Sequence, residues 1–193
     1  MNLTADQRLR ELMEPGRVYR TQELRSFSNN LSRDLNKLVK DRVLVCAGAG
    51  LYYKPIMTNV GPLPASVDAL VKAFLKDEDF LLTSLDDYNP LGLGLTQLYN
   101  EVIVYNRKRH GHFVLDGRKF SFQRPRNFPS KLSKEFLYVD ALNHKKELLE
   151  DTSRLETLLI EQTKKLNRRD LLALANQYGK VSTRKFFEEL LQQ

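Results

Sequence analysis

The stretch Leu31-Ser32-Arg33-Asp34-Leu35-Asn36-Lys37-Leu38-Val39-Lys40 constrains the fold of this chain more than any other. Leu31, Leu35, Leu38 and Val39 stand at i, i+4, i+7 and i+8, the apolar stripe of one helix face. Val43-Leu44-Val45-Cys46 follows as a β-branched, strand-like run. Ala47-Gly48-Ala49-Gly50 permits a tight reversal, and Leu51-Tyr52-Tyr53-Lys54 reads as a second strand. Two shorter helices precede the stripe. Residues 5–13 carry Leu9, Leu12 and Met13 behind Thr4 as N-cap and stop at Pro15-Gly16; residues 21–25 form a second helix capped by Thr21. Ser28-Asn29-Asn30 supplies a turn and a fresh cap. The order helix, helix, helix, β-hairpin predicts a winged helix-turn-helix over residues 1–58.

Asn59-Val60-Gly61-Pro62-Leu63-Pro64 is turn-rich and reads as a boundary. Beyond it, residues 59–193 read as an α+β domain with a helical C-terminus. Residues 66–75 put Val67, Leu70, Val71, Phe74 and Leu75 on one helical face. Strands are expected at 80–83 and 102–105, and a loop over 89–95 runs into a short helix through Gln97-Leu98. Residues 112–115, Asp116-Gly117 and 118–122 read as a hairpin, because Asp-Gly suits a type I′ turn. Four helices close the chain. They are expected at 140–149, from a capping box at Ser153–Glu156, at 171–178 ended by Gly179, and from Thr183 through Phe186, Phe187, Leu190 and Leu191.

Charge separates these regions. The net charge is +7, from 31 Lys+Arg and 24 Asp+Glu in 193 residues. It is concentrated at +4 over residues 1–54 and +8 over 107–134, with −5 between them and zero after 134. Two basic segments of this kind suit a polyanion. In the third helix, Asn29, Asn30, Ser32, Arg33, Asn36, Lys37 and Lys40 face away from the apolar stripe. Asn and Arg can read base edges in the major groove, while Ser, Lys and backbone N–H groups hold phosphates. Arg42 and Lys54 flank the hairpin and are placed to touch the DNA backbone, although the hairpin itself holds no Lys or Arg. The second basic patch comprises Arg107, Lys108, Arg109, Arg118, Lys119, Arg124 and Arg126. Phe113, Phe120 and Phe122 interleave with it, and strand alternation puts Phe120 and Phe122 together in a core.

Catalytic patterns are thin, and no enzymatic activity, cofactor, metal site or small-molecule substrate is expected. His110 and His112 share a strand face without a third ligand, and the single Cys46 pairs with nothing. Asp86, Asp87, Asp116 and Glu101 lack nuclease spacing. The two glycines of Asn89–Gly94 are followed by Leu95-Thr96 where a P-loop needs Gly-Lys-[Ser/Thr]. The N-terminus shows no secretory pattern and no apolar run is long enough to cross a membrane, so a soluble cytoplasmic protein is expected.

Several of these residues resemble the AbiEi-like antitoxins of type IV, abortive-infection toxin–antitoxin systems. The resemblance rests on Gly16-Arg17-Val18-Tyr19, the helix around residues 35–40, Gly50-Leu51-Tyr52-Tyr53-Lys54-Pro55 and Gly61-Pro62-Leu63-Pro64. Asn89-Pro90-Leu91-Gly92-Leu93 before the strand at 102–105, and Leu174-Ala175-Asn176-Gln177-Tyr178-Gly179, extend it over roughly residues 15–185. It implies phage defence. It also implies transcription regulation through a winged helix that binds its own double-stranded promoter, and a second domain that neutralises a nucleotidyltransferase-type toxin. The stretch Val45-Cys46-Ala47-Gly48-Ala49 departs from the basic wing of such proteins. The alternative expectation is a protein-interaction module that binds no DNA and grips an acidic partner through the basic hairpin.

Overall fold

The computed structural model describes residues 4–192; the side chain of Leu191, named in the last expected helix, lies outside the described residues. The protein is mixed α+β, and its chain divides into two compact units. The first comprises the residues up to Glu78 together with His112–Phe120. The second comprises Asp79–Gly111 and the residues from Ser121 onward.

In the first unit, α1 (Ala5–Leu12) is followed by β1 (Val18–Arg20), α2 (Thr21–Leu24), a 3-10 turn at Arg25–Phe27 and α3 (Leu31–Lys40). The core of this part joins Leu9, Met13, Tyr19, Leu24, Leu31, Leu35, Leu38 and Leu44, which is the stripe read from the sequence turned inward against α1. The strand run expected at 43–46 begins later, as β2 (Val45–Gly48), and returns as β3 (Leu51–Tyr53). Ala49-Gly50 closes the reversal, with φ of 51° and 74°. Only three residues long, β1 has no periodicity to announce it. It exists because β3 pairs with it antiparallel, Val18 opposite Tyr53 and Arg20 opposite Leu51, giving the sheet order β1-β3-β2.

The turn-rich segment after Lys54 is itself a hairpin, β4 (Ile56–Thr58) with β5 (Gly61–Leu63). Next comes α4 (Val67–Leu75), whose N-cap Ser66 accepts the Ala69 N–H at 3.1 Å. Its buried face of Leu70, Val71, Phe74 and Leu75 packs on β1 and β3. That packing groups residues 59–78 with the N-terminal helices, whereas the sequence suggests a boundary after residue 58.

The second unit holds β6 (Phe80–Thr83), a 3-10 segment at Leu85–Leu91, and β7 (Glu101–Asn106), which pairs antiparallel with β6. No helix forms at Gln97-Leu98. The Thr96 and Gln97 N–H groups donate instead to the Glu150 carboxylate at 2.8 and 2.7 Å. The expected hairpin is present as β8 (Gly111–Leu115) and β9 (Arg118–Gln123), and Asp116 and Gly117 both take positive φ, 50° and 72°. Phe120 and Phe122 are fully buried.

Helix α5 (Lys134–Asn143) overlaps the expected 140–149 only at residues 140–143, and residues 144–149 are not helical; it is capped by Ser133, whose Oγ accepts the Phe136 N–H. It is buried on several sides, through Phe136, Tyr138, Val139, Asp140 and Ala141, and so shows no single stripe to betray its register. After it come α6 (Leu155–Thr163), α7 (Arg168–Tyr178) and α8 (Val181–Gln192). Ser153 does not cap α6; its hydroxyl bonds Asp151. Thr183 lies inside α8 and is buried. Tyr88, Leu91, Tyr138, Val139, Leu155, Leu159, Leu171 and Phe187 share the core of these helices.

Candidate nucleic-acid interface

Burying Leu31, Leu35 and Leu38 forces the intervening residues of α3 outward. Asn29, Asn30, Ser32, Arg33, Asn36, Lys37 and Lys40 are all exposed. The start of α3 is fixed by a buried pair beneath it: Ser28 Oγ donates to Asp34 Oδ2 at 2.6 Å and accepts the Asn30 N–H at 3.0 Å. Asn30 occupies the N-cap position, yet its side chain makes no capping bond. The helix start thus presents amide and hydroxyl groups to solvent while a serine and an aspartate one layer below do the anchoring.

The cations on this face differ in their surroundings. The Arg33 side chain is 74% exposed, its Nε 3.4 Å from Asp34 Oδ1. Lys37, 58% exposed, is held by Asp6 of α1, Nζ to Oδ2 at 2.7 Å. Lys37 beside it, with the Thr4 hydroxyl, keeps the Asp6 carboxyl well below the usual carboxylate range, and the same contact raises the Lys37 ammonium. Lys40 is exposed near the C-terminus of α3, and Arg42 is exposed in a left-handed conformation (φ 57°) just beyond it. Lys54 is half-buried and donates to the Arg10 carbonyl at 3.2 Å, so its charge sits under α1.

The second basic patch is divided between the two units. Arg118 and Lys119 belong to the first. Arg118 donates to the Ala65 carbonyl at 3.1 Å and lies 4.0 Å from Asp116, while Lys119 is exposed. Arg107, Lys108, Arg109, Arg124 and Arg126 belong to the second and are exposed. Arg107 bonds Asp79 at 2.8 Å and stacks over Phe128 with its guanidinium carbon 5.0 Å from the ring centre. The three aspartates raised as nuclease candidates have structural partners. Asp116 accepts the Tyr53 hydroxyl, Asp86 the Tyr99 N–H, and Asp87 the Ser84 N–H and the Thr83 hydroxyl. Among the described residues no group of three or more His, Cys, Asp or Glu could hold a metal ion, and no helix is long and apolar enough to cross a membrane.

One polar cluster has no local signature that unites its members. Asp140 and His144, one turn apart at the end of α5, are buried with Tyr88 and Tyr105. Both phenols donate to the Asp140 carboxylate at 2.8 Å, and their oxygens lie 3.1 and 3.3 Å from the two nitrogens of His144. Burial pushes the Asp140 carboxyl up, against the pull of His144 and the phenols in the other direction. Desolvation and the adjacent carboxylate raise both tyrosines. An Asp-x-x-x-His spacing was visible in the sequence, but nothing there tied it to tyrosines 35 to 56 positions away.

No protein-family model matches this sequence, and no curated protein is significantly similar to it. The fold is similar to that of the RV2827C protein from Mycobacterium tuberculosis, a crystal structure 14% identical in sequence. The likeness has a TM-score of 0.59 and covers 100% of this chain and 78% of that one.

Proposed function

We propose that this chain is a DNA-binding transcriptional autorepressor and an antitoxin against a nucleotidyltransferase-like toxin, with its N-terminal unit acting as a winged helix-turn-helix. The reading is carried by the outer face of α3, where Asn30, Arg33 and Asn36 stand exposed on a helix whose start is anchored from beneath. The succession α1, α2, α3 and the β2–β3 hairpin, with β1 on the far side of β3, supports the winged form. In this reading the start of α3 enters the major groove, Arg33 and the asparagines meet base edges, and Lys40 and Arg42 meet phosphates. Lys37 exchanges Asp6 for a phosphate. The hairpin tip, Ala49-Gly50, brings no charge, so the wing contributes through Arg42 at its base. The antitoxin half rests on the resemblance to the AbiEi-like proteins, and binding to a promoter places the protein in the cytoplasm. The alternative, a grip on an acidic partner through the basic hairpin, has less to draw on because Arg118 and Arg107 are engaged internally.

The test is an anisotropy titration of the full chain against its own upstream promoter and a scrambled duplex, at two salt concentrations. Promoter preference is expected. Arg33→Ala should cost about 1–3 kcal/mol, and Lys37→Ala should lower the salt slope by about 1. Unchanged affinity and slope in both variants would sink the DNA half. Co-expression with the adjacent reading frame tests the other half: growth arrest that this chain fails to relieve overturns the antitoxin role.

A further inference from the structure

The second unit carries a cleft of about 460 Å³ where the α7–α8 corner meets the segment after β9. It shares Pro125, Asn127, Tyr178 and Lys180 with a narrower recess of about 80 Å³ that ends on Tyr105, Asp140 and His144. The charged residues lining the outer cleft are Arg126, Lys180 and Arg184, all cations. Lys180 is occupied, its Nζ donating to the Asn143 carbonyl at 2.6 Å and lying 4.0 Å from Glu147. Among the described residues, Arg126 and Arg184 form no ion pair. Two guanidiniums lining one cleft present forked donors that match phosphate geometry. The acid of the inner recess, Asp140, is already bonded through both oxygens to buried phenols. The remaining lining includes the half-buried Tyr178 and the amides of Asn176 and Gln177. An aromatic ring with amides nearby suits a planar heterocycle, and the volume falls in the range of small-molecule sites.

We infer that this cleft binds a nucleoside monophosphate, its phosphate between Arg126 and Arg184 and its base against Tyr178. The site goes beyond the proposed DNA surface and shares no residue with it. The test is calorimetric titration of the full chain with AMP, GMP, CMP, UMP and inorganic phosphate. At least one nucleotide should bind with a submillimolar Kd, and inorganic phosphate at least tenfold more weakly. Arg126→Ala and Arg184→Gln should each weaken that nucleotide at least tenfold without lowering the unliganded melting temperature, since Arg126 is exposed and glutamine keeps the stem of Arg184. Arg33→Ala/Lys37→Ala in α3 should leave nucleotide binding unchanged, which separates this site from the promoter surface. The inference is overturned by any of three results: no saturable binding by the four nucleotides at millimolar concentration, binding insensitive to both arginine variants, or inorganic phosphate binding as tightly as every nucleotide.

Discussion

Asp6 and Asp140 respond to protons in opposite senses, because one gains a cation at the surface and the other loses water. Asp6 is held below the ordinary carboxylate range by Lys37 and Thr4. Its contribution to stability is therefore present above about pH 4, the unfolded-chain value, and is lost as pH falls through the lower folded value. Because Lys37 is largely exposed, salt screens the pair. Asp6→Asn should erase an acid-sensitive and salt-sensitive increment in melting temperature. On the proposed DNA surface the same change frees Lys37 and removes a negative charge, so promoter affinity should rise severalfold; a fall would count against the placement of α3 on DNA. Asp140 behaves in reverse. Its folded value is raised, chiefly by burial, so the folded chain holds that proton more tightly than the unfolded chain does. Its contribution falls as pH climbs from about 4 through the raised folded value. Unfolding free energies of wild type and Asp140→Asn, compared across pH, should show wild type gaining on the variant as pH drops. A difference that is flat or grows with pH would refute this assignment.

At the level of elements, the α7–α8 corner depends on Gly179, for a reason the sequence pattern misnames. A glycine after an apolar helix suggests a left-handed cap, but Gly179 has φ −70° and ψ 140°, open to any residue. What excludes a side chain is space: a Cβ there would run into the Ala175 carbonyl oxygen, the acceptor of the Gly179 N–H bond at 2.8 Å. Gly179→Ala should therefore cost on the order of 1–3 kcal/mol, as overpacking does, read as a lower midpoint in denaturant unfolding. It should also disturb the cleft that Lys180 and Arg184 line. If stability is unchanged, the corner is more compliant than this geometry implies. The hairpin of β8 and β9 is the opposite case. Its Asp116-Gly117 turn follows the residue rule read from the sequence, with both φ positive.

For the whole molecule, the first unit is not a continuous piece of chain. Within it, the hairpin tip supplies Asp116, which accepts the Tyr53 hydroxyl and whose N–H donates to the Ala47 carbonyl at 2.8 Å. Phe113 also packs edge-on against Phe74 with ring centres 4.9 Å apart. A fragment ending at Glu78 loses all three contacts and leaves apolar surface on α4 open. Such a fragment should melt lower and be cleaved faster by protease than the same region in the full chain. Equal protection would mean that residues 112–120 contribute little to this unit. The apolar stripe of α3, the strands β6 and β7, the Asp-Gly hairpin and most of α7 are legible from residue order alone, because periodicity and turn stereochemistry are written within about ten residues. The remaining features depend on how the chain packs. Three residues became β1 because β3 lay beside them, and a turn-rich segment became the β4–β5 hairpin. A helix without a stripe took its register from Ser133, and Tyr88 and Tyr105 converged on Asp140 and His144. The β1–β3 pairing and the tyrosine cluster join residues far apart in the chain, a choice among distant partners settled by burial and hydrogen-bond satisfaction over the whole core, while the β4–β5 hairpin and the Ser133 cap are local but carry no periodicity to announce them.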